Sequence, residues 1–576
     1  MVTVIMSIFH ERKAQHVNGV LHWPFKITGP TKLPGGFNLI VSSRVTLVPQ
    51  RSRVTDLMLS ILLLSVASVG AANNWYVRPS SAGSNNGQDW NDAWSISGIN
   101  WSSVQPGDTI WLAGGTYGTV LTIGASGTSG NQIYIERVRS TDSVPTAAAG
   151  WQSSFDSLVV IPNITDTQYS YITVDGRITY GIQIAMGNGG DGITLSSANN
   201  LNAVNFYNIE IKGPYSSTGS NIHGITGSSS TASYSNSSIS NCWIHGICDA
   251  FYTYHWTNIY IDHCWIADIM ADGNEHMDIA YNYPNGTVTW RYNIISNCPA
   301  DGIFQEYGQG PIYFYGNRVI NVFTSIIATK TPSEGGSSAF YGPFYIYNNV
   351  FFETGGSGYI GFDDSSANGA MYMTNNVWWN ASIHTGGASD PVYHDYNAFN
   401  GTGGEAHGLN NIANSFVNSG GGDFHLLSTS QLINKGAALA AVTGQTLGTD
   451  PDGNTRGADG AWDIGAYEYT LQNTQEPVLS NIQYSATVNT ATITWTTDQN
   501  ANSIVNYGLT TSYGMSVTNS SLVISHSVTI PNLAEGTYYN FQVQSIDSTN
   551  SLNSSGNQMF NTINPAIVVG LHVVSP

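Results

Sequence analysis

The sequence predicts an all-β chain: a solenoid of parallel strands coiled rung on rung, followed by a small β-sandwich. Three observations predict it. First, a short phrase keeps returning, apolar residues in alternation, then Asn or Cys, then a second apolar run. Its pivots are Asn208, Cys242, Cys264, Asn293, Asn317, Asn349, Asn376 and Asn397, separated by 34, 22, 29, 24, 32, 27 and 21 residues. A strand-like repeat of this size marks a solenoid, and the uneven spacing places loops of variable length around a regular spine. Second, only 9% of residues are charged, yet 41% are hydrophobic and 11% aromatic, a composition that folds. Third, residues 476–562 leave the repeat and read as alternating strands with Trp495 early and Tyr539 near a later corner, the pattern of a sandwich.

Taken in order, residues 1–56 have no evident role, and Met58 is a candidate start. Residues 57–69 (LMLSILLLSVASV) are apolar and too short to span a bilayer; Arg51 and Arg53 precede them and Gly70, Ala71 and Ala72 follow. Residues 57–72 therefore read as a secretory signal, the plainer alternative being a buried apolar helix. Residues 1–72 hold seven of the 17 Lys and Arg and two of the 37 Asp and Glu, leaving ten basic and 35 acidic side chains, a formal −25. Such a surface argues against nucleic acid or anionic lipid as partner. It suits a secreted or cell-surface monomer, not inserted in a membrane, that binds neutral glycans, or anionic ones through a metal cation.

Residues 73–470 carry the solenoid. The opening WYV strand from Trp75, the Gly- and Asn-rich loop, Trp94 and PGDTIWLAGGTY (106–117) resemble the start of many extracellular right-handed parallel β-helix proteins of the pectin-lyase-like kind. Residues 446–469 resemble the closing segment of bacterial surface β-helix proteins. Residues 476–562 look like a fibronectin type III domain, a spacer or weak glycan-binding module, and 563–576 form a tail. Asp450-Pro-Asp-Gly-Asn454 resembles part of a calcium loop but lacks its length and terminal Glu, so a turn is expected.

The two-residue strand period turns the repeat into surfaces. Five and three residues before a pivot the chain is apolar and should point inward: Ile259 and Ile261, Val288 and Trp290, Ile312 and Phe314, Phe344 and Ile346, Met371 and Met373. The residues between face out, and they include Tyr260, Arg291, Tyr313, Tyr345 and Tyr372, a column that either stacks on sugar rings or only stabilises the sheet. Cys242 and Cys264 fall about 4.8 Å apart if the strands are in register, so they are either a disulfide or stacked thiols.

The likeness to pectate-lyase-like helices implies an inward asparagine ladder at the pivots and a groove over the strand beginning about eight residues later. With Phe251, Met277, Ile303 and Ile327 inward, the outward residues there become Tyr252, Tyr254, His276, Asp278, Phe304, Glu306, Lys330 and Asp363. The leading expectation is a polysaccharide lyase that cleaves a uronate glycan by β-elimination. Lys330, His276 or a tyrosine would be the base, and Asp278, Glu306 and Asp363 would hold Ca²⁺ to neutralise the uronate carboxylate. Tyr252, Tyr254, Arg291, Tyr313 and Tyr345 would bind the polysaccharide. A Lys330–Glu306 surface pair is the plainer reading of the same residues. A glycoside hydrolase using Asp278 with Glu306, or Asp363 with Asp364, stays open, as does a non-catalytic glycan binder.

Overall fold

The computed structural model describes residues 72–564, apart from 188–189, 196–197, 216–221, 228–231, 271–277, 300–301, 306–307, 323–324, 330–339, 356–358, 362–369, 385–391, 440–444, 446, 471–475 and 548–550, together with 15–17 and 20–22. The chain divides into two units, 1–68 and 69–576. In the first, Gln15–Val17 pairs antiparallel with Val20–His22. The apolar run read as a secretory signal lies outside the described residues. No helix among the described residues is long and apolar enough to cross a membrane.

The second unit is a right-handed parallel β-helix followed by antiparallel strands. Each rung contributes a strand before the pivot, a strand after it and a third strand beyond a loop. Stacked, they make three parallel sheets of 14, 11 and 10 strands among the described residues, called here the first, second and third. Every inward pair expected of the first sheet is buried to 1% exposure or less. The alternation that predicted strands thus also chose the core, which is filled by Ile, Val, Phe and Trp lying rung above rung.

The pivots form an internal hydrogen-bonded ladder. Asn293, Asn317, Asn349, Asn376 and Asn397 are each fully buried. The Asn349 amide donates to the Phe314 carbonyl and to Asn376 Oδ1, both at 2.9 Å, while its own Oδ1 accepts the Asn317 backbone N–H. At the far end Glu405 closes the ladder by accepting the Asn397 backbone and side-chain N–H groups. The ladder satisfies backbone groups that a turn inside a core would otherwise leave unpaired. Cys242 and Cys264 continue this file as free, buried thiols rather than a disulfide. Burial pushes the Cys264 thiol up, and Cys242 beside it adds to the effect.

Asn208 departs from the expectation. Glu210 pairs with Trp243 across the sheet, so Ile209 lies beside Cys242 and Asn208 beside Asn241. Asn208 takes φ +58, as Asn241 does with +54, and donates to Asp175 outside the core. The left-handed bend accounts for the Asn here, because Asn tolerates αL better than most residues.

The described residues of 416–469, called here the closing segment, fold back over the coil. Gln445 bridges the Thr289 and Tyr315 hydroxyls, and the Tyr292 hydroxyl donates to the Thr449 carbonyl. Phe424, Leu432 and Ile464 pack on Val350, Phe352 and Val377, which face outward from the second sheet. The clusters under this segment draw on the first and second sheets and contain no described residue of the third. Residues 450–454 form a turn, with Asp450 Oδ1 accepting the N–H groups of Asp452 and Asn454.

In the C-terminal sheet the Trp495 indole is buried, stacks on His526 at 4.7 Å and donates to Ser545 Oγ. The Tyr539 hydroxyl accepts the Ala534 N–H.

Candidate functional site

The first-sheet tyrosines do point out of the coil, where Tyr313 is buried and Tyr345 and Tyr372 are half-buried, while Tyr393 at the end of the column is 54% exposed. Tyr313, Tyr345, Tyr372 and Tyr393 stack face to face at 5.0, 5.2 and 5.1 Å, one per rung. Tyr313 keeps only 4% of its surface, in a cluster with Leu439, Leu447 and Trp462 of the closing segment. Their ring faces are spent on one another, which is the stabilising role of a cross-rung stack. Arg291 is likewise engaged: it makes two hydrogen bonds, of 3.0 and 3.1 Å, to Asp262 and lies over Tyr260 and Tyr292. Burial opposes the charges of this pair. Hydrogen bonding to Asp262 still holds Arg291 above its usual range, and hydrogen bonds from His263 first and then Arg291 hold Asp262 below its own.

The third sheet is different. Phe251, Ile303 and Ile327 form one inward file as expected, but Ala280, not Met277, stands between Phe251 and Ile303. That rung is three residues out of the expected register. Tyr281 and Tyr283 therefore pair across from Tyr252 and Tyr254, where Asp278 and Ala280 were expected. Tyr254 and Tyr283 stack at 4.2 Å and 10°. Tyr252 lies over the His223 ring at 4.7 Å, with its hydroxyl 3.4 Å from that of Tyr254. All three tyrosines are half-buried.

Beneath them runs a polar file of which the sequence reading singles out only Asp278 as a site residue. Ile193 pairs with Ile225, and His223 pairs directly with Asp249, so Asp191, His223, Asp249 and Asp278 fall on successive rungs. His223 Nδ1 is 2.8 Å from Asp191 Oδ1, its Nε2 is 3.5 Å from Asp249 Oδ2, and Asp249 Oδ1 accepts the Asp278 backbone N–H at 2.9 Å. The signal was present in the chain: Asp191-Gly-Ile, His223-Gly-Ile, Asp249-Ala-Phe, Asp278-Ile-Ala and Asp301-Gly-Ile recur. Gly192 and Gly224 are needed there, since a Cβ on either would come within 2.7 Å of the next rung's carbonyl oxygen.

Asp278 is thus 1% exposed and sits at the strand's entry, not out on the face. The outward position expected of it is corrected by the three-residue shift. His276, Glu306, Lys330 and Asp363 lie outside the described residues. Among the described residues no three His, Cys, Asp or Glu are grouped so as to hold a metal ion. A histidine bracketed by carboxylates is held in orientation and can pass a proton, while the tyrosines above it offer ring edges and hydroxyls to a sugar.

No family model and no curated protein matches this chain. Two solved structures align over most of it. The pectate lyase Pel9A does so at 16% identity and a TM-score of 0.44, covering 70% of this chain and 98% of its own. XylC, solved in complex with xylose, does so at 10% identity and a TM-score of 0.35, covering 69% and 98%. Neither likeness speaks to this chain's chemistry; the parallel β-helix rests on its own strand pairing.

Proposed function

We propose that this chain is an extracellular polysaccharide-active protein that cleaves a uronate-containing glycan by β-elimination on the third sheet. The observation that carries the reading is the half-buried group Tyr252, Tyr254 and Tyr283 over the Asp191–His223–Asp249 file, on the sheet that the described closing segment leaves uncovered. Elimination needs a base for the proton next to the uronate carboxylate and a partner for that carboxylate. Lys330 is the proposed base, and His276 and Glu306 remain proposed catalytic residues; all three lie outside the described residues. Calcium takes several oxygen ligands. Asp278 is buried, and Glu306 and Asp363, the other proposed calcium ligands, lie outside the described residues. The C-terminal sheet, with its buried Trp495 and bonded Tyr539, is proposed to be a fibronectin type III-like accessory domain.

The test is incubation with pectate, alginate and glycosaminoglycans, with and without Ca²⁺, read at the ultraviolet absorbance of unsaturated uronates. Absorbance growth supports the reading, and its absence across that panel removes it. New reducing ends without absorbance would move the chain to the hydrolases. Saturable binding with neither would make it a binder. Lys330→Ala is expected to abolish elimination with little change in Tm; activity that survives would dismiss Lys330 as the base.

A further inference from the structure

The outer face of the second sheet carries a cluster that none of the preceding chemistry uses. Gln183, Glu210, Trp243 and Trp265 lie side by side on successive strands, as do Lys212, His245 and Ala267 one step further along. Gln183 donates to one Glu210 oxygen at 2.7 Å. The other Glu210 oxygen is 3.0 Å from His245 Nε2, and His245 Nδ1 is 2.5 Å from the Tyr215 hydroxyl. The chain of contacts starts from a buried carboxylate, passes through an imidazole only 2% exposed, and ends on a tyrosine that is 44% exposed.

The arrangement is built, not incidental. Tyr215 lies flat across Gly246, whose φ is +68 and where a Cβ would come within 2.8 Å of the ring. Glu210 settles the tautomer: its carboxylate accepts a hydrogen bond from the Nε2–H, so neutral His245 offers its Nδ1 lone pair to the Tyr215 O–H. Burial holds His245 toward the neutral form, and burial followed by the charges of Asp268 and Glu210 keeps the phenol protonated at rest. A hydroxyl in this position can accept a proton while passing its own to His245, leaving an imidazolium beside Glu210.

Two further features point to a ligand. Trp243 stacks on His245 at 3.8 Å and on Trp265 at 4.8 Å, and Trp265 remains 37% exposed at the end of the stack. Lys212, next to His245 across the sheet, is exposed and makes no ion pair among the described residues, in a chain of net charge −20. A solvated lysine on the same sheet face as an exposed indole, two strands away, suits a carboxylated sugar: the indole takes the ring and the ammonium the charge.

We propose that this face is a second saccharide site, separate from the third-sheet groove, which seats a uronate ring against Trp265 with its carboxylate at Lys212 and a hydroxyl on the Tyr215–His245–Glu210 relay. It does not rest on the lyase reading. The experiment is calorimetric titration of the full chain with trigalacturonate and triguluronate, with cellotriose as the neutral control, from pH 5 to 8. The uronate trimers are expected to bind and cellotriose not to. In the Tyr254→Ala background, which impairs the groove, Tyr215→Phe and Lys212→Ala should each weaken the remaining uronate binding about tenfold or more. Independently, an aryl sulfonyl fluoride should label Tyr215 first, and Glu210→Gln, which keeps the side-chain shape, should slow that labelling. Equal binding of cellotriose would overturn the proposal. So would uronate binding lost in Tyr254→Ala but kept in Tyr215→Phe, absence of binding, or labelling of Tyr215 indifferent to Glu210→Gln.

Discussion

Glu353 shows how one residue makes this coil sensitive to pH. It is fully buried at the end of a second-sheet strand, one oxygen accepting the Val322 N–H at 2.9 Å and the other without a hydrogen-bond partner among the described residues. Burial pushes its carboxyl up to about 7, against the single backbone hydrogen bond. A raised carboxyl contributes stability that is complete below the unfolded value near 4.5 and is lost as pH rises through about 7. Wild-type Tm should therefore fall between pH 5 and 8, by up to about 3 kcal/mol of stability from this group, and Glu353→Gln should flatten the fall. Matching slopes in the two proteins would show that the folded chain pairs the ionised group. At the same scale, the cysteines were legible as a stacked pair but not as thiol or disulfide, because spacing gives proximity and not sulfur geometry.

At the scale of the element, the ladder and the third sheet make a contrast. Replacing Asn349 by Ala leaves the Asn317 backbone N–H and side chain without their acceptor and the Phe314 carbonyl without its donor, all inside the core. The expected cost is about 2–4 kcal/mol, measured by urea unfolding. Asn208→Gly, which keeps the left-handed bend and loses one bond to Asp175, should cost under about 1 kcal/mol. Equal costs would mean that the ladder is not what stabilises the turn. The inward files of the first sheet were readable because each pivot fixes the phase of the strand just before it. The third sheet follows a loop of variable length, so the phase is lost there, and the rung at 275–283 shifted by three. His223, Asp191 and Asp249 escape the sequence reading for the same reason: it phases the repeat on the asparagine, not on the Asp-Gly-Ile phrase.

Across the whole molecule the closing segment decides which exterior is available. His263 Nε2 meets the Pro451 carbonyl, and His425 lies between Asp423 and Asp452. Hydrogen bonding, to Asp262 for His263 and to Asp452 first for His425, raises both imidazoles above their usual range. A raised histidine contributes stability below the unfolded value near 6.5 and loses it as pH rises through the folded one. His425→Ala should thus lower Tm at pH 5 and leave it nearly unchanged at pH 9, with an effect of a few tenths of a kcal/mol because the group is half exposed. An equal loss at both pH values would assign His425 to packing over Tyr467.

The sequence by itself determined the coil, its parallel sheets and the apolar file inside, because a two-residue period and a recurring pivot are local properties that survive any loop length. Only the tertiary structure decided that the tyrosine column packs at Tyr313 under Leu439, Leu447 and Trp462, that the third strand keeps its own phase, and that Glu210, His245 and Tyr215 meet. Those outcomes depend on contacts across rungs and on the path of one returning segment, and no pattern within a strand encodes either.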